Sequence, residues 1–270
     1  MEGYGVVDIG IGSLLLAYVF WLVLLFLFYK YKINKERELV VGTVRMTIQL
    51  ILMGFVLEYI FDNQNWITTI LILCLMLSFA VYNVFGRTKL PLSNPMKKVI
   101  AASIVVGTCF SIFYFLLVIL ALQPWYDARY FIPIAGMIIG NSMSGISLGV
   151  DRLVHGMINK REQIEGTLAL GASPATASRE IVQDAYHAAI LPTINSMMGM
   201  GIVFLPGLMT GQILAGISPN TAIAYQIAIM LAIVGSVGLS VFILVQLGYR
   251  TFFNKRAQLI AEVGGRKSEV

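Results

Sequence analysis

Apolar residues in this chain come in long unbroken runs separated by short polar stretches, not in a two-residue alternation or on a narrow helical stripe. A helix needs roughly 20 apolar residues to cross a bilayer, and runs of that order fall at about 9–29, 39–60, 66–85, 99–122, 131–150, 190–213 and 222–247. The pattern predicts an all-α polytopic membrane protein with about seven transmembrane helices, forming a single membrane domain over 1–270. The first run, Ile9 to Tyr29, is too long for a signal sequence and follows acids (Glu2, Asp8) in place of a basic segment, so it is expected to stay as a membrane helix.

Composition agrees with the pattern and narrows it. Of 270 residues, 58% are hydrophobic and 12% charged, with mean hydropathy +0.81, whereas soluble domains are about 25% charged. Soluble enzymes, disordered chains and nucleic-acid-binding modules are excluded, and the spans leave no room for a separate catalytic domain. Cys74 and Cys109 lie inside apolar runs and read as small hydrophobes. The net charge of +5 is an orientation signal: seventeen of the nineteen basic residues fall in alternate loops. They are Lys30, Lys32, Lys35 and Arg37; Arg87, Lys89, Lys97 and Lys98; Arg152, Lys160, Arg161 and Arg179; and Arg250, Lys255, Arg256, Arg266 and Lys267. The positive-inside rule then puts the N-terminus outside and the C-terminus in the cytoplasm, and anionic lipid is the partner the basic face expects. Arg129 and Arg45 are the exceptions.

One cytoplasmic loop, about 151–189, is much longer than the others. Ile181, Val182, Ala185, Ala189 and Ile190 share one helical face opposite Glu180, Gln183, Asp184 and His187. Ser173 followed by Pro174 is a helix start, and Arg161 to Leu170 is a helix that Gly171 stops. A helix, a tight Gly-Ala-Ser-Pro turn and a second helix are predicted. The stretch Gly166 to Ser173 is a near-miss to a P-loop, but Ala172 stands where its lysine belongs and no strand precedes it. His155 and His187 have no metal-ligand partners at suitable spacing and read as solvated. No catalytic triad or carboxylate pair can be assembled, so the chain is not expected to be an enzyme. The last span holds no lysine for a retinal Schiff base.

Glu165-Gly-Thr-Leu-Ala-Leu-Gly171, followed by nine residues and Ile181, resembles the E-A-A-x-x-x-G-x(9)-I-x-L-P signature of ABC transporter permeases. Gly166-Thr167 replaces the two alanines, Gln183-Asp184 stands where L-P is expected, and an L-P occurs later at Leu191-Pro192. The flanks, Gly140-Asn141-Ser-Met143-Ser-Gly145 and Pro192-Thr-Ile-Asn195-Ser-Met197 through Leu205-Pro206-Gly207 to Gln212 and Gly216, are similar to the permease family of bacterial iron exporters (FetB type) and to plant aluminium-tolerance permeases. This resemblance implies a plasma (bacterial inner) membrane permease subunit, without ATPase chemistry or a bound cofactor of its own. A separate cytoplasmic P-loop ATPase would hold ATP and Mg, and the assembly would contain two permease copies. The implied activity is export of iron or another metal ion, contributing to metal and oxidative-stress tolerance. Glu165, Gly171, Ala172, Ser173, Pro174 and Ile181 would form the element that docks on the ATPase.

Transport needs polar groups facing an internal path and helices able to shift. Asn141 and Asn195 are carboxamides in hydrocarbon; Met143, Met197, Met198 and Gln212 share their spans, and Arg45, Gln49 and Glu58 lie in the second. All are candidate path residues; the metal ligands, if any, stay open. Gly136, Gly140, Ser144, Gly145 and Gly149 read as a small-residue packing surface. Pro206-Gly207 should kink or break the sixth span and act as a hinge. A secondary carrier driven by an ion gradient is the main alternative, with a seven-helix receptor or scaffold more distant. Such a carrier needs intramembrane carboxylates, and Glu58 is the one well inside a span.

Overall fold

A computed structural model describes residues 10–88 and 92–260. Glu2, Asp8, Ile9, Lys89, Arg266 and Lys267 lie outside the described residues. The described chain is almost entirely helical, with no strand longer than an isolated bridge. Its elements are α1 (Ile11–Lys30), α2 (Glu36–Asp62), α3 (Trp66–Arg87), α4 (Asn94–Tyr114), α5 (Ala128–Asn159), α6 (Arg161–Ala169), α7 (Pro174–Ala177), α8 (Arg179–Gly199), α9 (Gly207–Leu214) and α10 (Pro219–Gly248). A π-helical turn, Phe115–Ile119, prolongs α4, and a 3₁₀ turn, Tyr249–Phe252, prolongs α10.

Helix starts follow the local chemistry of the sequence. Asn65, Ser93, Asp127, Ser173 and Ser218 each accept a hydrogen bond from a backbone N–H of the turn they cap, and proline follows in the first turn at α4, α7 and α10. Six helices among the described residues are long and apolar enough to cross a membrane: α1, α2, α3, α4 with its π turn, α5, and α10 with its 3₁₀ turn. The sixth predicted span, 190–213, is not one helix. Its first part is the end of α8, its last is α9, and the chain between Met200 and Pro206 is irregular.

The core is a cluster built on α5, which packs against α8, α10 and α3, with α4 closing on α10. Small residues set these contacts, as expected where lipid removes most of the hydrophobic drive between helices. A Cβ on Gly107 would fall 2.8 Å from the Cα of Ser240. Gly145 sits against Val237, Gly149 against Leu244, and Gly156 against Ile181. Ser142 and Ser236 hydroxyls pair at 2.9 Å between α5 and α10. The expected glycine surface of α5 is thereby divided: Gly145 and Gly149 pack, Gly136 meets Met76 only loosely, Gly140 meets nothing within 4 Å, and Ser144 is exposed.

These contacts also fix direction. Ser142, Gly149 and Leu153 of α5 lie beside Ser236, Leu244 and Gly248 of α10, so the two run parallel. Gly156 beside Ile181 and Gly149 beside Ala189 make α8 antiparallel to both. Between Ile181 and Pro219 the chain is therefore carried from the Asn159 end of the bundle to the Ala128 end by the broken α8–α9 segment. α1 has no buried residue and α2 has Ile60 alone; a Tyr18–Thr47 hydroxyl pair of 2.7 Å joins them.

Candidate functional site

The long loop is shorter and more helical than the apolar pattern suggests. α5 continues through Asp151, Arg152 and His155 to Asn159, because charge ends an apolar run without ending a helix, and no breaker intervenes. What projects is α6, a four-residue turn and α7. Gly171 has φ +88°, a left-handed conformation that glycine adopts at little cost, and Ser173 Oγ accepts from Thr176 N at 3.2 Å. Leu170, at the tip, is 91% exposed. Arg161 donates to Glu165 at 2.8 Å, which holds Glu165 along α6. Ala172 and Pro174 are half-buried, and Ser173 is exposed. Ile181 is apart from this surface: it is 3% exposed and packs on Gly156, so it anchors the element to α5.

Lys160 fastens the base of the element. Its ammonium is 2.9 Å from Glu180 and 3.9 Å from Asp184, and its hydrogen bond and charge hold the Glu180 carboxyl below the usual range. Glu165, Leu168 and Ala172 also face Arg256 and Leu259 of the C-terminal segment across a shallow cleft.

Of the candidate path residues, the structure brings Asn141 and Asn195 together in level. With Gly149 and Gly145 both opposite Ala189, the antiparallel register of α5 and α8 sets these two carboxamides at the same height, and both are exposed. Asn141 Nδ2 donates to Met137 O at 2.8 Å in its own helix. Met143 is half-buried, while Met198 is exposed. Arg45, Gln49 and Glu58 are elsewhere, exposed on α2, with the Arg45 guanidinium 4.9 Å from the Phe79 ring centre. Gln212 is half-buried on α9, and its Oε1 is buried without a partner.

Pro206 is the N-cap of α9, and Gly207 begins it. Gly201, at φ +85°, opens the break, and the loop closes by a Gly201 N to Phe204 O bond of 3.0 Å. Between this break, α9 and the first half of α10 is a cavity of about 480 Å³ lined by Met197, Met200, Met209, Met230 and Gln226. Sequence reading found Met197 and missed Gln226 and Met230. The signal available was a carboxamide in an otherwise apolar stretch, with a thioether one helical turn on.

Six helices of spanning length, a core in which small residues set the helix contacts, a broken helix and a capped turn define a polytopic α-helical membrane protein. The chain belongs to the uncharacterised protein family UPF0014, whose model matches residues 11–253. It is 35% identical over 248 residues to the Probable iron export permease protein FetB of Escherichia coli (strain K12), covering 92% of this chain and 94% of that one. It is 36% identical over 247 residues to the UPF0014 membrane protein YjkA of Bacillus subtilis (strain 168), covering 92% and 97%. It is also 36% identical over 248 residues to Protein ALUMINUM SENSITIVE 3 of Arabidopsis thaliana, covering 92% and 89%. No solved structure matches the chain significantly.

Proposed function

We propose that this chain is the permease subunit of an ATP-driven ABC transporter that exports iron or another metal ion, with ATP and Mg held by a separate P-loop ATPase. The observation that carries the proposal is the α6–α7 element. An apolar residue as exposed as Leu170, on a turn fixed by Gly171 and the Ser173 cap, has no packing role within the chain. It is a form suited to docking: a capped turn, small at its backbone and apolar at its tip. The likeness to an E. coli protein named as a probable iron export permease supports the cargo. Two permease copies would give the exposed Asn141 and Asn195 a polar surface to face instead of lipid.

Substituting Ala172 by Arg or Leu170 by Asp should lower co-purification of the ATPase from native membrane, and ATP-driven metal transport, at least tenfold. Insertion and expression should stay unchanged. Undiminished ATPase binding by both variants overturns the docking assignment.

A further inference from the structure

The cavity beside the α8–α9 break has a wall chemistry that lipid packing does not account for. Four of the thirteen methionines in the chain converge on it from three different segments: Met197 from the end of α8 with Met200 from the break, Met209 from α9, and Met230 from α10. Met209 and Met230 are buried, at 8% and 7% exposure, and form the inner end. Met197 and Met200 stand on or beside the irregular segment at the mouth. Gln226 lies one helical turn from Met230 on α10 and is itself 7% exposed. Its Nε2 donates to the Met200 sulfur at 3.6 Å, while its Oε1 is buried and accepts nothing.

An unpartnered carboxamide oxygen in an apolar wall costs about 1–3 kcal/mol, and a cavity meant for hydrocarbon has no use for it. A cation does. Thioethers are soft donors that select Cu(I)-like ions over harder divalent ions, and a neutral oxygen adds a further electron pair. Thioether and carboxamide ligands carry no proton to lose and no charge to bury, so the empty site needs no counter-ion in the membrane. The cavity is wider than a bare ion requires. Methionine has three rotatable bonds, and the segment bearing Met200 is not a continuous helix, so the thioethers can close over a guest.

We propose that Met197, Met200, Met209 and Met230, with Gln226, form a binding site for a soft monovalent cation, Cu(I) or its analogue Ag(I). This site stands on the cavity's own geometry and does not depend on the ATPase partnership, so failure of one reading leaves the other in place.

The test uses the purified full chain in lipid nanodiscs, with Ag(I), ascorbate-reduced Cu(I) and Fe(II) as probes. Ag(I) and Cu(I) should bind at about one ion per chain, with Fe(II) at least a hundredfold weaker. Met209→Leu and Met230→Leu conserve volume and should each weaken Ag(I) binding at least tenfold, whereas Met46→Leu on distant α2 should not. Because the core variants can misfold, Cu X-ray absorption on the unaltered protein supplies a second arm, with sulfur scatterers expected at bonding distance. Absence of stoichiometric Ag(I) binding, equal loss in Met46→Leu, or a copper shell made only of nitrogen and oxygen overturns the proposal.

Discussion

Gly107 shows how little space separates the helices that matter. A Cβ there would lie 2.1 Å from Ser240 Oγ and 2.8 Å from its Cα; turning the hydroxyl relieves only the first contact, so α4 and α10 must part. Gly107→Ala should cost about 1–3 kcal/mol, the usual range for overpacking, measured by reversible unfolding in mixed micelles. Adding Ser240→Gly should recover part of the loss, because it removes the Cβ and Oγ but leaves the Cα. Such a partner is not legible in the sequence. Glycine spacing on α5 correctly marks a packing helix, yet Gly140 packs on nothing and Gly107, outside any motif, makes the tightest approach. Spacing states which residues share a face; only the positions of neighbouring helices decide which face is covered. The same holds for Gln226 and Met230, each ordinary alone and significant once α9 folds over them.

Among the elements, the apolar runs located six helices well, since a bilayer-length run has few other solutions. The ends were less legible, as α5 shows by running past its last apolar residue to Asn159. Pro206 announced a break, but its extent back to Met200 depends on Gly201 taking a positive φ, which composition does not dictate. The turn from α6 to α7 is legible in the sequence, because serine caps and a stopping glycine are local chemistry, although the expected second helix is divided at Ser178 into α7 and α8. Its anchorage is pH-dependent in a defined direction. Glu180 is held below its ordinary value of 4.5, first by the hydrogen bond from Lys160 and then by its charge. The clamp's contribution is therefore complete above about pH 4.5 and is lost as pH falls through the lowered value. Protection factors of the α8 amides from Val182 onward, corrected for the pH dependence of intrinsic exchange, should be lower in acid than at pH 7, and Lys160→Ala should lower them at pH 7 and flatten the difference. The pair is exposed, so the effect is expected to be small.

For the molecule as a whole, the alternating directions of α5, α8 and α10 mean that the broken segment carries the chain from one end of the bundle to the other in two pieces. α5 and α10 are parallel, which requires the chain to return to the Ala128 end between them. The same frame gathers the described basic residues named above, Arg129 and Arg45 excepted, at the Asn159 end. Arg129 sits at the other end, its guanidinium 6.0 Å from the Phe61 ring centre. A one-sided basic surface is the cytoplasmic one, so this geometry predicts seven crossings with α6 and α7 inside. Single cysteines in a Cys74→Ala, Cys109→Ala background test it with a membrane-impermeant thiol reagent on intact cells. Ser218→Cys and Arg129→Cys should label from outside, and Thr176→Cys and Arg256→Cys only after permeabilisation. If Ser218→Cys labels together with Thr176→Cys, the α8–α9 segment re-enters from one side and the chain crosses six times. The exposed Asn195 would then need another route to water, because a half-entering loop buries its polar groups only against protein. The crossing reading instead sets Asn195 and Asn141 level on two antiparallel helices that traverse the membrane together.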